Sequence, residues 1–193
     1  MDFFEKWKLT QTEWNYIITF PYYISYIVSV SSADEISFTN EKYNPYFEMI
    51  NALSLSDDDI ALVDIAKNIV DYEERSWDIS ETYHDMLVDK DLLDDEGFFN
   101  KKAIIVDHYL PLLNLFDEIN KEKIIEFCVY LAWETAAYGN KTAVYYGQAT
   151  NPIHEKEKIE FDNICKWLDV NPDTYYEGNK REIYLNYLNL LEE

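Results

Sequence analysis

Hydrophobic positions recur at helical intervals along most of this chain. Trp14, Ile17, Ile18, Tyr22, Ile24, Ile27 and Val28 form the first series. Pro21 falls inside it, which predicts either two short helices or one kinked helix. Residues 31–44 read as a loop. Asn44-Pro45 then has the chemistry of a helix start, with asparagine at the cap and proline in the first turn. Phe47, Ile50 and Leu53 follow on one face. Ser56-Asp57-Asp58-Asp59 reads as a serine cap with acids in the first turn, ahead of Ile60, Val63, Ala66, Ile69 and Val70. A further helix is expected from near Ser80, carrying Tyr83, Met86 and Leu87 and fraying in the acidic run that ends at Gly97. Another spans about 101–120, disturbed by Pro111. The next, about 121–138, turns Ile124, Phe127, Cys128, Leu131 and Ala132 inward. Residues 139–152, with Gly139, Gly147 and Pro152, read as the longest loop. Ile159, Phe161, Ile164, Trp167 and Leu168 mark the following helix. A last helix, about 180–192, starts from a capping box at Asn179-Lys180-Arg181-Glu182. No stretch alternates as a strand would. The expectation is an all-α fold, compact and multi-helical, forming one domain over residues 1–193.

Two portions of the chain, about 9–75 and 101–170, share an order of features: an apolar helix, an acidic turn or loop, then a second helix. In the first, Ala33-Asp34-Glu35-Ile36 is followed by Glu41. In the second, Ala132, Ala136 and Ala137-Tyr138-Gly139 precede Ile153-His154-Glu155-Lys156-Glu157, and Trp167-Leu168-Asp169-Val170 closes the unit. This order resembles the tellurite-resistance TerB family over roughly residues 9–170. Members of that family have an Ala-Asp-Gly-like turn in the first half and a Leu-Gly-Leu ending in the second. Here Glu35 stands in place of the turn glycine, and the second half has no turn aspartate. The resemblance implies an all-helical accessory protein linked to stress or defence. It also implies a divalent ion (Ca²⁺, Mg²⁺ or Zn²⁺) held by acidic turn residues, which here are Asp34, Glu35 and Glu41, with Glu155 and Glu157 as second-half counterparts.

Carboxylates are hard oxygen donors, and a turn leading into a helix can bring several together around such an ion. The competing reading is simpler: Asp34 caps a turn, Glu35 and Glu41 are solvated, and Glu155 and Glu157 complement a helix dipole. His154 beside them would suit a transition metal. Glu134 would join them only by facing inward, which periodicity does not decide.

Charge changes the picture further. The chain carries 16 Lys and Arg against 38 Asp and Glu, a formal net charge of −22. Direct nucleic-acid binding is disfavoured, because phosphate contacts need cationic side chains. An anionic membrane surface is disfavoured for the same reason. A basic protein partner fits, which sets a second reading beside the first: an acidic inhibitor or immunity protein, or a DNA mimic, directed at a basic partner such as a nuclease. The 17 tyrosines suit docking surfaces, since the ring is amphipathic, and a helical face bearing them permits a homodimer.

Other chemistry is thinly represented. Aligned as an EF-hand loop from Asp89 and Asp91, the run places Asp94 where glycine is required and Asn100 where the terminal glutamate belongs. Glu81-Thr82-Tyr83-His84 has di-iron spacing but no second copy. No nucleophile elbow, phosphate-binding glycine loop or zinc-protease motif occurs. A non-enzymatic protein is therefore expected. Cys128 and Cys165 lie in apolar runs and read as free thiols of a reducing compartment. No run approaches the roughly 20 apolar residues needed to span a bilayer. The N-terminus lacks a signal-peptide layout. The expected location is the cytoplasm.

Overall fold

A computed structural model describes residues 2–29, 31, 45–74, 100–145, 153 and 155–176. Its described residues form helices, with no strand among them: α1 (Phe3–Lys6), α2 (Gln11–Ser29), α3 (Pro45–Ser54), α4 (Ala61–Glu74), α5 (Lys101–Ala103, Ile104–Tyr109 and Leu110–Leu113 in succession), α6 (Glu118–Tyr145), α7 (Glu155–Trp167) and α8 (Asp173–Tyr176). The all-α, compact architecture expected from periodicity is what the chain adopts.

Two helices form the centre. In α2 the side chains from Ile17 to Ser25 are all buried, and in α6 those from Phe127 to Ala137 are all buried. A helix that is covered all round needs no amphipathic stripe, and both sequences are correspondingly apolar on every side here. α2 and α6 pack along each other; α7 lies against both, while α3 and α4 pair and also reach the α2–α6 centre. One contiguous cluster of buried side chains runs from Leu9 to Tyr175.

Pro21 lies inside a single helix, Gln11–Ser29. Its missing N–H removes the ladder bond that the Ile17 carbonyl would accept, a loss that tertiary packing on every side of α2 outweighs. Pro111 acts differently. The Ile104–Tyr109 stretch of α5 is π-helical, and the Leu110 N–H bonds to the Ile105 carbonyl five residues back. The wider turn accommodates the proline ring, which would otherwise press on the carbonyl four residues before it.

Three expected boundaries are corrected. The helix expected over 101–120 ends at Leu113, and α6 starts at Glu118. Asp117 separates them, accepting the Asn120 backbone N–H on Oδ1 at 2.9 Å. The break expected at Gly139 does not occur, since α6 continues to Tyr145. A single glycine costs a helix roughly 0.5–1 kcal/mol, too little to end a long helix packed into a core. Ser56 does not cap α4. Its hydroxyl accepts the Asp58 N–H within a turn, and the helix starts at Ala61. The expected helices beginning near Ser80 and over 180–192 lie outside the described residues. No helix among the described residues is long and apolar enough to cross a membrane.

Candidate binding surface

The surface at the start of α4 and α6 is built by side chains that tie chain segments together. Asn120, in the first turn of α6, donates from Nδ2 to Asp117 Oδ2 at 2.8 Å. Its Oδ1 accepts the Ala61 backbone N–H, also at 2.8 Å. The buried N-terminus of α4 is thus capped from another helix, a service usually given by a residue just upstream. Asp117 accepts both the backbone and the side-chain N–H groups of Asn120, which hold its carboxyl below the usual carboxylate range.

The N-terminal segment closes over this junction. Asp64 is buried in the first turn of α4, and its Oδ2 accepts from Trp7 Nε1 at 2.8 Å and from Lys6 Nζ. Lys6 also reaches Asp59 Oδ1 at 2.6 Å. Burial works against the ammonium charge, but the two carboxylates outweigh it and raise the Lys6 pKa. Trp7 packs on Phe116, ring centroids 5.8 Å apart. The 55–60 loop, Trp7 and the 114–117 turn are therefore fastened together.

Outward from this junction lies an acidic arc with aliphatic side chains in it. At about 100° per residue, Glu118, Ile119, Glu122 and Glu126 occupy a sector roughly 100° wide. All four are exposed. Ile119 is 67% exposed and Leu115, in the preceding turn, 49%. The adjoining loop carries Leu55, 80% exposed, and the exposed Asp57, Asp58 and Asp59.

Of the residues expected to hold a metal, only Glu155 and Glu157 are described. Asp34, Glu35, Glu41 and His154 lie outside the described residues. Glu155 is exposed at the start of α7, whereas Glu157 is buried. Two residues apart on a helix is roughly 200° of rotation, so the two carboxylates point to opposite sides and cannot share one ion. Among the described residues, no three His, Cys, Asp or Glu side chains converge as a metal site would require. Glu134 does face inward, though it joins no such group among the described residues.

Periodicity also misplaced one face. Ile159 is 56% exposed, while Glu157 and Glu160 are buried beside Phe161, Ile164 and Cys165. Glu160 Oε2 accepts from Lys101 Nζ at 2.8 Å, which links α7 to α5. Nearby in the core, Tyr109 and Thr19 share a hydroxyl–hydroxyl bond of 2.8 Å. Tyr109 stacks on Tyr23 at 5.7 Å. Burial pushes both phenols far above their usual range, and the carboxylate of Glu160 adds to the effect on Tyr23. No local signal marks this polar seam, because each contact joins two different helices. Burial likewise raises the pKa of the Cys128 thiol; both cysteines are buried and neither is in a disulfide.

Comparison of the chain with protein-family models, with curated proteins and with solved structures finds no match.

Proposed function

We propose that this chain is a non-enzymatic binding protein whose acidic surface engages a basic protein partner. The observation that carries the reading is the excess of acids at the surface: among the described residues, exposed Asp and Glu outnumber exposed Lys. Lys6, Lys101 and Lys121 are each drawn into ion pairs with carboxylates of the same chain. Asp57, Asp58, Glu118, Glu122, Glu126, Glu155 and Asp173 remain exposed. A net charge of −22, with these carboxylates at the surface, speeds encounter with a cationic partner and makes binding salt-sensitive.

The TerB-like reading is retained for the family to which the fold is referred. Asp169 supports it. The residue sits where the family's Leu-Gly-Leu ending has glycine, and its φ is 58°. The Val170 N–H reaches back to the Cys165 carbonyl at 2.8 Å, as in a helix end closed through a left-handed residue. Aspartate tolerates that conformation better than most side chains. An accessory role in stress or defence and an inhibitory role against a basic toxin both fit a protein that acts by binding alone.

The test is affinity capture with the folded protein at low salt, followed by elution with increasing salt and identification of what is released. A basic protein released steeply with salt, and encoded beside this chain, is the expected result. Retention of acidic or neutral proteins only, or retention indifferent to salt, would sink the reading.

A further inference from the structure

We infer that the partner docks on the Leu115–Glu126 face and presents an amphipathic segment, aliphatic on one side and flanked by Lys or Arg. The inference rests on the proposed binding function and gives it a location. Acids cover much of this molecule, and acids alone would specify no site. On this face two exposed aliphatics, Leu115 and Ile119, stand with the exposed Glu118, Glu122 and Glu126, and the adjoining loop adds Leu55 with Asp57, Asp58 and Asp59. Large exposed aliphatics rimmed by charge are the usual anatomy of a protein–protein contact: an apolar centre that is desolvated and a charged rim that steers.

The frame beneath is rigid in the way a docking site requires. Asn120, in the same turn as Ile119, is locked to Asp117 and to the Ala61 N–H. Of the two cations beside the arc, Lys123 is half-buried and Lys121 is engaged by Glu118 at 3.7 Å. The rim is therefore net negative. A second copy of this chain is disfavoured as occupant, because a twofold contact would set these carboxylates against their own images. A cationic amphipathic segment satisfies both the centre and the rim.

Two synthetic helical peptides of equal length and charge test this. One carries lysines with leucines along one face; in the other, glutamines replace the leucines. Binding to the full chain is measured by fluorescence anisotropy at low and near-physiological salt. Hydrogen exchange of the wild-type chain locates the contact. The leucine peptide should bind more tightly than the glutamine peptide and protect residues 114–126. The Leu115→Ser/Ile119→Ser variant, checked by circular dichroism, should lose that difference, a fall of about tenfold or more if these side chains are the apolar anchors. A control, Glu48→Gln/Asp71→Asn, should keep it.

Leucine-peptide binding unchanged in the serine variant, or protection confined to another face, would overturn the location and leave the proposed function standing. No salt-sensitive binding of either peptide would overturn both. Self-association in sedimentation that the serine variant abolishes would assign the face to a second copy and overturn the inference.

Discussion

Asn120 shows how one side chain can organise several segments. It belongs to the first turn of α6, yet its Oδ1 accepts the first N–H of α4. Nothing in the neighbouring sequence announces this, because the bond spans 59 positions along the chain. The local candidate, Ser56, is instead engaged in its own turn. Asn120→Ala should destabilise the protein by about 1–2 kcal/mol in urea unfolding, the usual cost of removing a cap and leaving a buried N–H unpaired. It should also release Asp117, whose carboxyl is lowered by the Asn120 N–H groups. A carboxyl lowered in the folded state stabilises above its unfolded pKa and loses that contribution as pH falls through the folded value. The Asp117 titration, followed by NMR, should move up toward the ordinary aspartate range in the variant. A titration that stays put would mean that Asn120 is not its controlling partner.

Helix boundaries depend on sums over many residues, and two of them here run against local signals. Gly139 would ordinarily invite a stop, but α6 passes through it to Tyr145. Asp169 would not ordinarily be chosen for a left-handed position, but α7 ends there with φ 58°. Opposite substitutions should therefore both stabilise. Gly139→Ala removes backbone freedom from the unfolded chain, and Asp169→Gly relieves the Cβ crowding of the left-handed region. Each should add roughly 0.5–1 kcal/mol in thermal unfolding. If Gly139→Ala destabilised the protein, the continuous α6 would be in error. The glutamates of α7 belong to the same scale. Hydrophobic periodicity turned Ile159 inward, whereas the buried series is 157, 160, 161, 164, 165 and 168. Phe161, Ile164 and Leu168 were legible as the buried face; Ile159 and the two buried glutamates were not. Glu160 is accommodated by Lys101, which α5 supplies.

For the whole molecule, charge sets the conditions under which the fold is most secure. A formal charge of −22 repels itself, so added sodium chloride should raise the melting temperature as the Debye length falls toward about 10 Å at 0.1 M. The TerB resemblance adds a sharper expectation for Asp34, Glu35 and Glu41. If they bind Ca²⁺, Mg²⁺ or Zn²⁺, one ion should stabilise beyond sodium chloride of equal ionic strength. At about 100 times its Kd the excess is about 2.7 kcal/mol, or about 5–11 °C. Asp34→Ala/Glu41→Ala should abolish it. Equal shifts for all salts in both proteins would reduce the effect to screening. By itself, the sequence determined the all-α class, most helix locations and the acidic surface, because these follow from periodicity, propensity and composition, which sum over neighbours. Only the tertiary structure decided that α2 and α6 are enclosed on every side, that Glu157 and Glu155 point apart, and that Asn120 caps a distant helix. It also set Leu115 and Ile119 among carboxylates at the surface. Those outcomes depend on which face of each helix meets another, and a rotation of one residue, about 100°, changes the answer without changing the pattern.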